Sequence, residues 1–268
     1  MKYRMDKMLF FFATISLFVT CAPEQTADTS QKRLINDVLV PIYISHHHYQ
    51  CNVQLLNQDK VSEIVEYYKY SSGEVSDKYL YTFSNGKLST VYRIDNKVKS
   101  KVSEFDYDNK GRLKTILKFA DNSKTYHFEY NDYGLINTLT DENGDSLFSS
   151  KYHFDSSGNV NKMVQYYPKQ GKTNTHNFIK IDLNSNSYLL NFYMDTELTY
   201  DSMPFAFNSN GTMKEVFGEE YDSNGIPIRI ISKRGIREIK TELDDKGNWI
   251  LQKIGDSYSD KIREIKYK

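Results

Sequence analysis

A short unit recurs from residue 105 towards the C-terminus, and it constrains local geometry more tightly than any other stretch of the chain. Its clearest copy is Phe105-Asp-Tyr-Asp-Asn-Lys-Gly-Arg-Leu113. Six copies align on the turn glycines Gly111, Gly134, Gly158, Gly211, Gly225 and Gly247. Four residues before each glycine stands an aromatic residue or leucine: Tyr107, Tyr130, Phe154, Phe207, Tyr221 and Leu243. Three before it stands Asp108, Asn131, Asp155, Asn208, Asp222 or Asp244. Two after it stands a mostly apolar residue: Leu113, Ile136, Val160, Met213, Pro227 or Trp249.

An Asp or Asn followed three residues later by Gly marks a type I turn, in which the side chain holds the turn's own amides. The glycine then supplies the left-handed conformation of a three-residue hairpin loop with a bulge. In that register the residue before the Asp or Asn faces the residue two after the Gly, an aromatic–aliphatic cross-strand pair worth about 0.2–1 kcal/mol. A second aromatic often lies two residues earlier (Phe105, Phe128, Tyr152, Phe205), giving the alternation of a half-buried strand.

The first three glycines are spaced 23 and 24 residues apart, room for two strands and two turns per unit. One such unit cannot bury its own apolar face, so neighbours must stack. The fold class expected is all-β: an antiparallel meander of repeated β-hairpins forming a long twisted, curved sheet or open barrel of about 14–18 strands. Between Gly158 and Gly211 the pattern degrades, leaving either one glycine-free unit or an insertion.

The copies resemble YD repeats, the RHS-type repeat family, whose core pattern is Tyr-x-Tyr-Asp-x-x-Gly-Arg-Leu. The 105–113 copy departs from it only by Phe for the first Tyr, and the resemblance extends over roughly residues 64–267. The closing segment, Leu243-Asp-Asp-Lys-Gly-Asn-Trp249 with Arg263-Glu-Ile-Lys-Tyr267, is similar to the last unit of short YD-repeat lipoproteins of Bacteroidota. The resemblance implies an envelope lipoprotein. The units are too few for the closed shell of large RHS proteins, so toxin encapsulation is not expected.

The N-terminus supports that address. Lys2, Arg4 and Lys7 precede the apolar run Met8–Val19, which is short for a membrane span, and Cys21 follows at once. Residues 1–20 read as a signal peptide, Cys21 as the acylated first residue of an outer-membrane-anchored lipoprotein, and residues 21–33 as a flexible polar tether. The alternatives are an ordinary secreted protein and an uncut N-terminal anchor. The other cysteine, Cys51, then stays a free thiol; with Cys21 unmodified, a 21–51 bridge becomes possible. Residues 34–268 read as one β-repeat domain, with 34–58 an N-terminal cap containing a strand over Asp37–Ile44 and 59–268 the hairpin repeats.

Basic and acidic residues balance at 35 each. Loss of the leader leaves 32 basic and 34 acidic side chains, which argues against nucleic acid as a partner. Aromatics reach 14%, with 22 Tyr, as suits a strand-rich chain.

Catalytic and metal chemistry find little footing. His46-His-His48 could hold a metal weakly on one strand face but lacks two further ligands, so an edge strand is the simpler reading. His127 and His153 fall on the face opposite the aromatic pairs, where a solvated sheet surface accounts for them better than an acid/base pair with Glu129. One Asp per turn is too sparse for calcium and suits turn capping. Trp249 occupies a pairing position and reads as core. No cofactor and no enzyme activity is expected. The function expected is noncatalytic binding of an envelope protein or glycan on a β-repeat surface; a polysaccharide-acting enzyme and a purely structural scaffold are the alternatives.

Overall fold

A computed structural model describes residues 29–39, 58–119, 123–216, 218–232, 235–255 and 259–268. The leader, Cys21, the tether up to residue 28, Cys51, the His46–His48 cluster and the expected strand beyond residue 39 lie outside the described residues.

Eighteen strands follow one another: β1 (Val61–Tyr70), β2 (Lys78–Ser84), β3 (Lys87–Asp95), β4 (Val98–Tyr107), β5 (Leu113–Lys118), β6 (Lys124–Tyr130), β7 (Ile136–Asp141), β8 (Ser146–Phe154), β9 (Val160–Tyr167), β10 (Lys172–Asp182), β11 (Ser187–Met194), β12 (Glu197–Phe207), β13 (Met213–Val216), β14 (Glu219–Tyr221), β15 (Pro227–Ser232), β16 (Gly235–Leu243), β17 (Trp249–Ile254) and β18 (Ser259–Tyr267). Each pairs antiparallel with its sequence neighbour, and β1 pairs with β18 from Val61↔Tyr267 to Tyr70↔Ser259. The sheet therefore closes, where the sequence left a curved sheet and an open barrel as the choices. Closure removes both edge strands and their unpaired backbone groups.

The repeat turns set the register. Tyr107 pairs with Leu113, Tyr130 with Ile136, Phe154 with Val160, Phe207 with Met213, Tyr221 with Pro227 and Leu243 with Trp249, and the register shifts at every one of these pairs. All six turn glycines have φ between 76° and 84°. The Asp108 carboxylate accepts from the amides of Lys110 (3.0 Å) and Arg112 (2.8 Å), and Asp155, Asp222 and Asp244 repeat the arrangement. A further Asp–Gly turn, Asp141 to Gly144, has the same bonds and escaped the sequence reading. The degraded middle is a glycine-free unit, in which Asn186 takes the left-handed conformation (φ 48°) between β10 and β11.

The repeat tyrosines tie one hairpin to the next. Tyr107 donates its hydroxyl to the Leu88 carbonyl (2.8 Å), Tyr130 to Leu113 (2.8 Å) and Tyr152 to Ile136. Each acceptor lies two residues after the turn glycine of the preceding hairpin.

The N-terminal segment departs from expectation. Thr29–Arg33 is an α-helix (α1) that continues as a π-helical stretch over Leu34–Leu39, in place of tether and strand. Leu34, Ile35, Val38 and Leu39 enter the same apolar core as Phe105, Ile116, Phe128 and Phe205. Burial of these four side chains, at roughly 1.5–3 kcal/mol each, outweighs the strand preference of the β-branched residues. Gln31 is fully buried: it donates to the Val160 carbonyl and accepts from the Val160 amide, both at 2.8 Å. Asn36 does the same between the Gly134 carbonyl (2.8 Å) and the Ile136 amide (2.9 Å). Arg33 donates to the Gly211 carbonyl and lies 5.6 Å from the Phe207 ring centroid.

Among the buried polar residues are a cross-strand ion pair and a histidine. At the closing seam Glu66 and Arg263 are cross-strand partners, joined at 3.2–3.3 Å, with Lys261 2.6 Å from the same carboxylate. Arg263 lies 3.5 Å from the Trp249 ring centroid, and burial lowers its pKa to about 10 against the attraction of Glu66. On β10, His176 is buried against Phe192 (ring centroids 4.8 Å), and burial alone lowers its pKa to about 3.

Glu66→Leu strands a buried guanidinium and is expected to cost about 3–5 kcal/mol, whereas Glu66→Leu/Arg263→Met recovers most of that loss in urea titrations. Additive losses in the double variant would contradict the pairing. Gln31→Ala leaves two buried backbone groups unpaired at about 1–3 kcal/mol each, and hydrogen exchange at the Val160 amide accelerates while β18 is unchanged. Unfolded chains bind a proton near pH 6.5 that folded His176 refuses until about pH 3. Stability on this account is complete above pH 6.5 and falls on acidification by up to about 1.4 kcal/mol per pH unit; the slope difference between wild type and His176→Leu isolates it from the carboxylates.

Candidate functional site

An up-and-down meander sends alternate turns to opposite ends. The repeat turns after β2, β4, β6, β8, β12, β14 and β16 share one end, as do the strand termini Val61 and Tyr267. All the pairing and capping residues from Tyr107 to Trp249 that the sequence singles out gather there. They are engaged in turn geometry, cross-strand pairing and docking of α1. At this end they form a seal, with side chains of α1 and the π-helical stretch that follows it bonded to backbone at Gly134, Ile136, Val160 and Gly211.

The opposite end holds a cavity of about 380 Å³ between β5 and β11. Leu139, Phe148, Tyr167 and Asn174, all buried, line its inner part, and Leu147, Tyr126 and Met194 continue the wall outward. The Phe148 and Tyr167 rings meet at a 50° tilt with centroids 5.8 Å apart, and the Tyr167 hydroxyl donates to the buried Gln165 Oε1 at 3.4 Å. The rim carries Lys118, Lys169, Gln170 and Lys172.

These amines are not equivalent. Lys169 is bonded to Asp141 at 2.8 Å and lies 3.4 Å from Asp145; chiefly through Asp141 its pKa is held above the usual lysine value. Lys118 is half-buried near the Tyr126 ring (5.6 Å), and burial, then the neighbouring Lys124, lowers its pKa. Lys172 is exposed and makes no ion pair among the described residues.

Exposed aromatics collect at the same end. Tyr68 and Tyr70 follow Glu66 along the inward face of β1 and are 42% and 43% exposed. Tyr200 pairs with the inward Phe192 and continues the ring series that starts at His176. His127 and His153 are both exposed on the outer face and do not approach the cavity. Sequence reading missed Lys118, Lys169, Lys172 and Met194 because they come from three separate segments with no fixed spacing; the lysine-bearing loop Lys169-Gln-Gly-Lys172 was the available signal.

The wall has a definite polarity. The buried core residues point inward, while Asp106, Glu129, Lys151, Lys240, Glu242, Glu264 and Lys266 are exposed on the strands, together with apolar Ile179, Ile228 and Ile236. A membrane-spanning barrel needs an outward apolar band about 25 Å tall. On these strands the charged side chains interrupt such a band.

No family model matches the chain, and no curated protein does. Among solved structures it is similar to a porin-like protein from Bacteroides uniformis, at 12% identity over 78% of this chain and 98% of that one, with a TM-score of 0.41. It is also similar to part of a TcdB2–TccC3 structure lacking the hypervariable C-terminal region, at 11% identity and a TM-score of 0.25, covering 68% of this chain and 11% of that one. At this level neither likeness says what the chain binds.

Proposed function

We propose that this protein is a noncatalytic binding protein of the cell envelope, anchored through lipid on Cys21, that takes its ligand at the cavity-bearing end of the barrel. The observation that carries the reading is the asymmetry of the two ends. One is closed by α1 with matched hydrogen bonds, and the other holds an aromatic-lined cavity of a size at the lower end of small-molecule sites, about 300–1,000 Å³. The sequence placed binding on an extended β-repeat surface without naming a face, and three of the exposed tyrosines stand on the inward face at the cavity end. An acid/base role for Glu66 is disfavoured because Arg263 and Lys261 both hold its carboxylate.

Covalent reach sets the orientation. Cys21 lies eight residues before Thr29, and an extended chain spans at most about 28 Å over that interval. An acylated Cys21 therefore keeps the sealed end towards the membrane and presents the cavity away from it.

Expression with the native leader and a palmitate analogue is expected to label the wild type, and Cys21→Ala to lose both label and membrane association. An unlabelled, soluble wild type would sink the anchor. Native mass spectrometry of protein from its own membranes is expected to find a bound small mass that Met194→Trp, a substitution at the exposed rim, removes. Retention of that mass in the variant would place binding elsewhere.

A further inference from the structure

The distribution of charge and apolar surface around the cavity points to a ligand class: we infer that the cavity takes an amphipathic anion, a hydrocarbon body with one carboxylate or phosphate head. This deepens the binding reading above and rests on it. The inner wall offers Leu139, Phe148 and the Tyr167 ring, surfaces that favour a dehydrated hydrocarbon over a polyhydroxylated one. Among the described residues that line it, the charged groups are all cations.

Their states fix the charge taken and where it sits. Lys169 is compensated by Asp141 and Asp145 and serves to hold the loop. Lys172 supplies an uncompensated, exposed ammonium on the strand that also carries Asn174 into the wall. Lys118 stands on the other flank, where burial and Lys124 weaken its hold on a proton, and an anion between the flanks would relieve both penalties. A head group at the rim keeps its hydration while the body enters the apolar part, the arrangement of least desolvation cost.

Titration calorimetry with dodecanoate, dodecyl phosphate, dodecanol and dodecyltrimethylammonium, each as monomer, tests this. Dodecanoate or dodecyl phosphate is expected to bind about tenfold or more tightly than dodecanol, with the ammonium weakest. Lys172→Ala is expected to remove most of that preference and leave dodecanol binding unchanged, in a variant whose thermal melt matches wild type. The stronger of the two anions distinguishes a free carboxylate from a phosphate head as the natural group. Equal binding of dodecanol and both anions, tighter binding of the ammonium, or no binding by any probe overturns the ligand class and leaves the cavity reading to the native-mass result. Dodecanoate binding that survives Met194→Trp overturns the cavity reading itself.

Discussion

Every Asp/Asn–Gly turn in this barrel shifts its ladder by one residue, and the shift leaves backbone groups near the glycine that the two strands cannot satisfy between themselves. Buried groups of that kind must find partners. The structure meets the requirement with side chains from elsewhere. A tyrosine hydroxyl from the following hairpin takes the carbonyls of Leu88, Leu113 and Ile136. Lys87 donates to Gly111 at 2.8 Å, Asn36 to Gly134, and Gln31 bridges both groups of Val160. One local defect thus links successive hairpins and creates the docking sites for α1.

That dependence explains why tyrosine, rather than phenylalanine alone, belongs to the repeat. At Tyr107 and Tyr130 the ring supplies the cross-strand pair and the hydroxyl reaches the preceding hairpin; in the Phe154 copy Tyr152, two residues earlier, makes that reach instead, and the Tyr221 hydroxyl stays on its own strand at Glu219 (2.7 Å). Phe154 and Phe207 lack the hydroxyl, and in their hairpins Gln31 and Arg33 take over the exposed backbone groups at Val160 and Gly211. The same N-terminal segment also bonds the Tyr130 hairpin, through Asn36 at Gly134 and Ile136.

Local rules account for what was legible. The turn signature fixes φ, register and pairing within about nine residues, so hairpins could be read copy by copy, and the strand count followed from two per unit. Closure was not legible, because Glu66 and Arg263 are 197 residues apart and no local pattern couples them. The helix was misread for a different reason. Val38, Val40, Ile42 and Ile44 alternate like a strand, whereas Leu34, Ile35, Val38 and Leu39 also fall four apart on one helical face. Only the apolar core that receives them decides between the two periods. The cavity was the least legible of all, since its lining comes from seven strands whose contributions are unremarkable one at a time.

The two ends also differ in how far sequence may vary. At the sealed end each turn must keep its acidic or amide cap, its left-handed residue and its pairing neighbours, because α1 and the next hairpin both read the resulting backbone. At the opposite end the connections differ from one another. Asn96 and Lys97 turn in two residues with positive φ at both (47° and 70°), while β9 and β10 are joined by Pro168-Lys-Gln-Gly171. Lys169 ties the β9–β10 loop to Asp141 and Asp145, but no element packs across these loops among the described residues as the N-terminal helix does at the sealed end. The lysines of the cavity rim stand on or beside such loops, and the residues that hold the barrel together stand at the far end of the same strands. Binding chemistry at the rim can therefore change without disturbing the register that keeps the barrel closed.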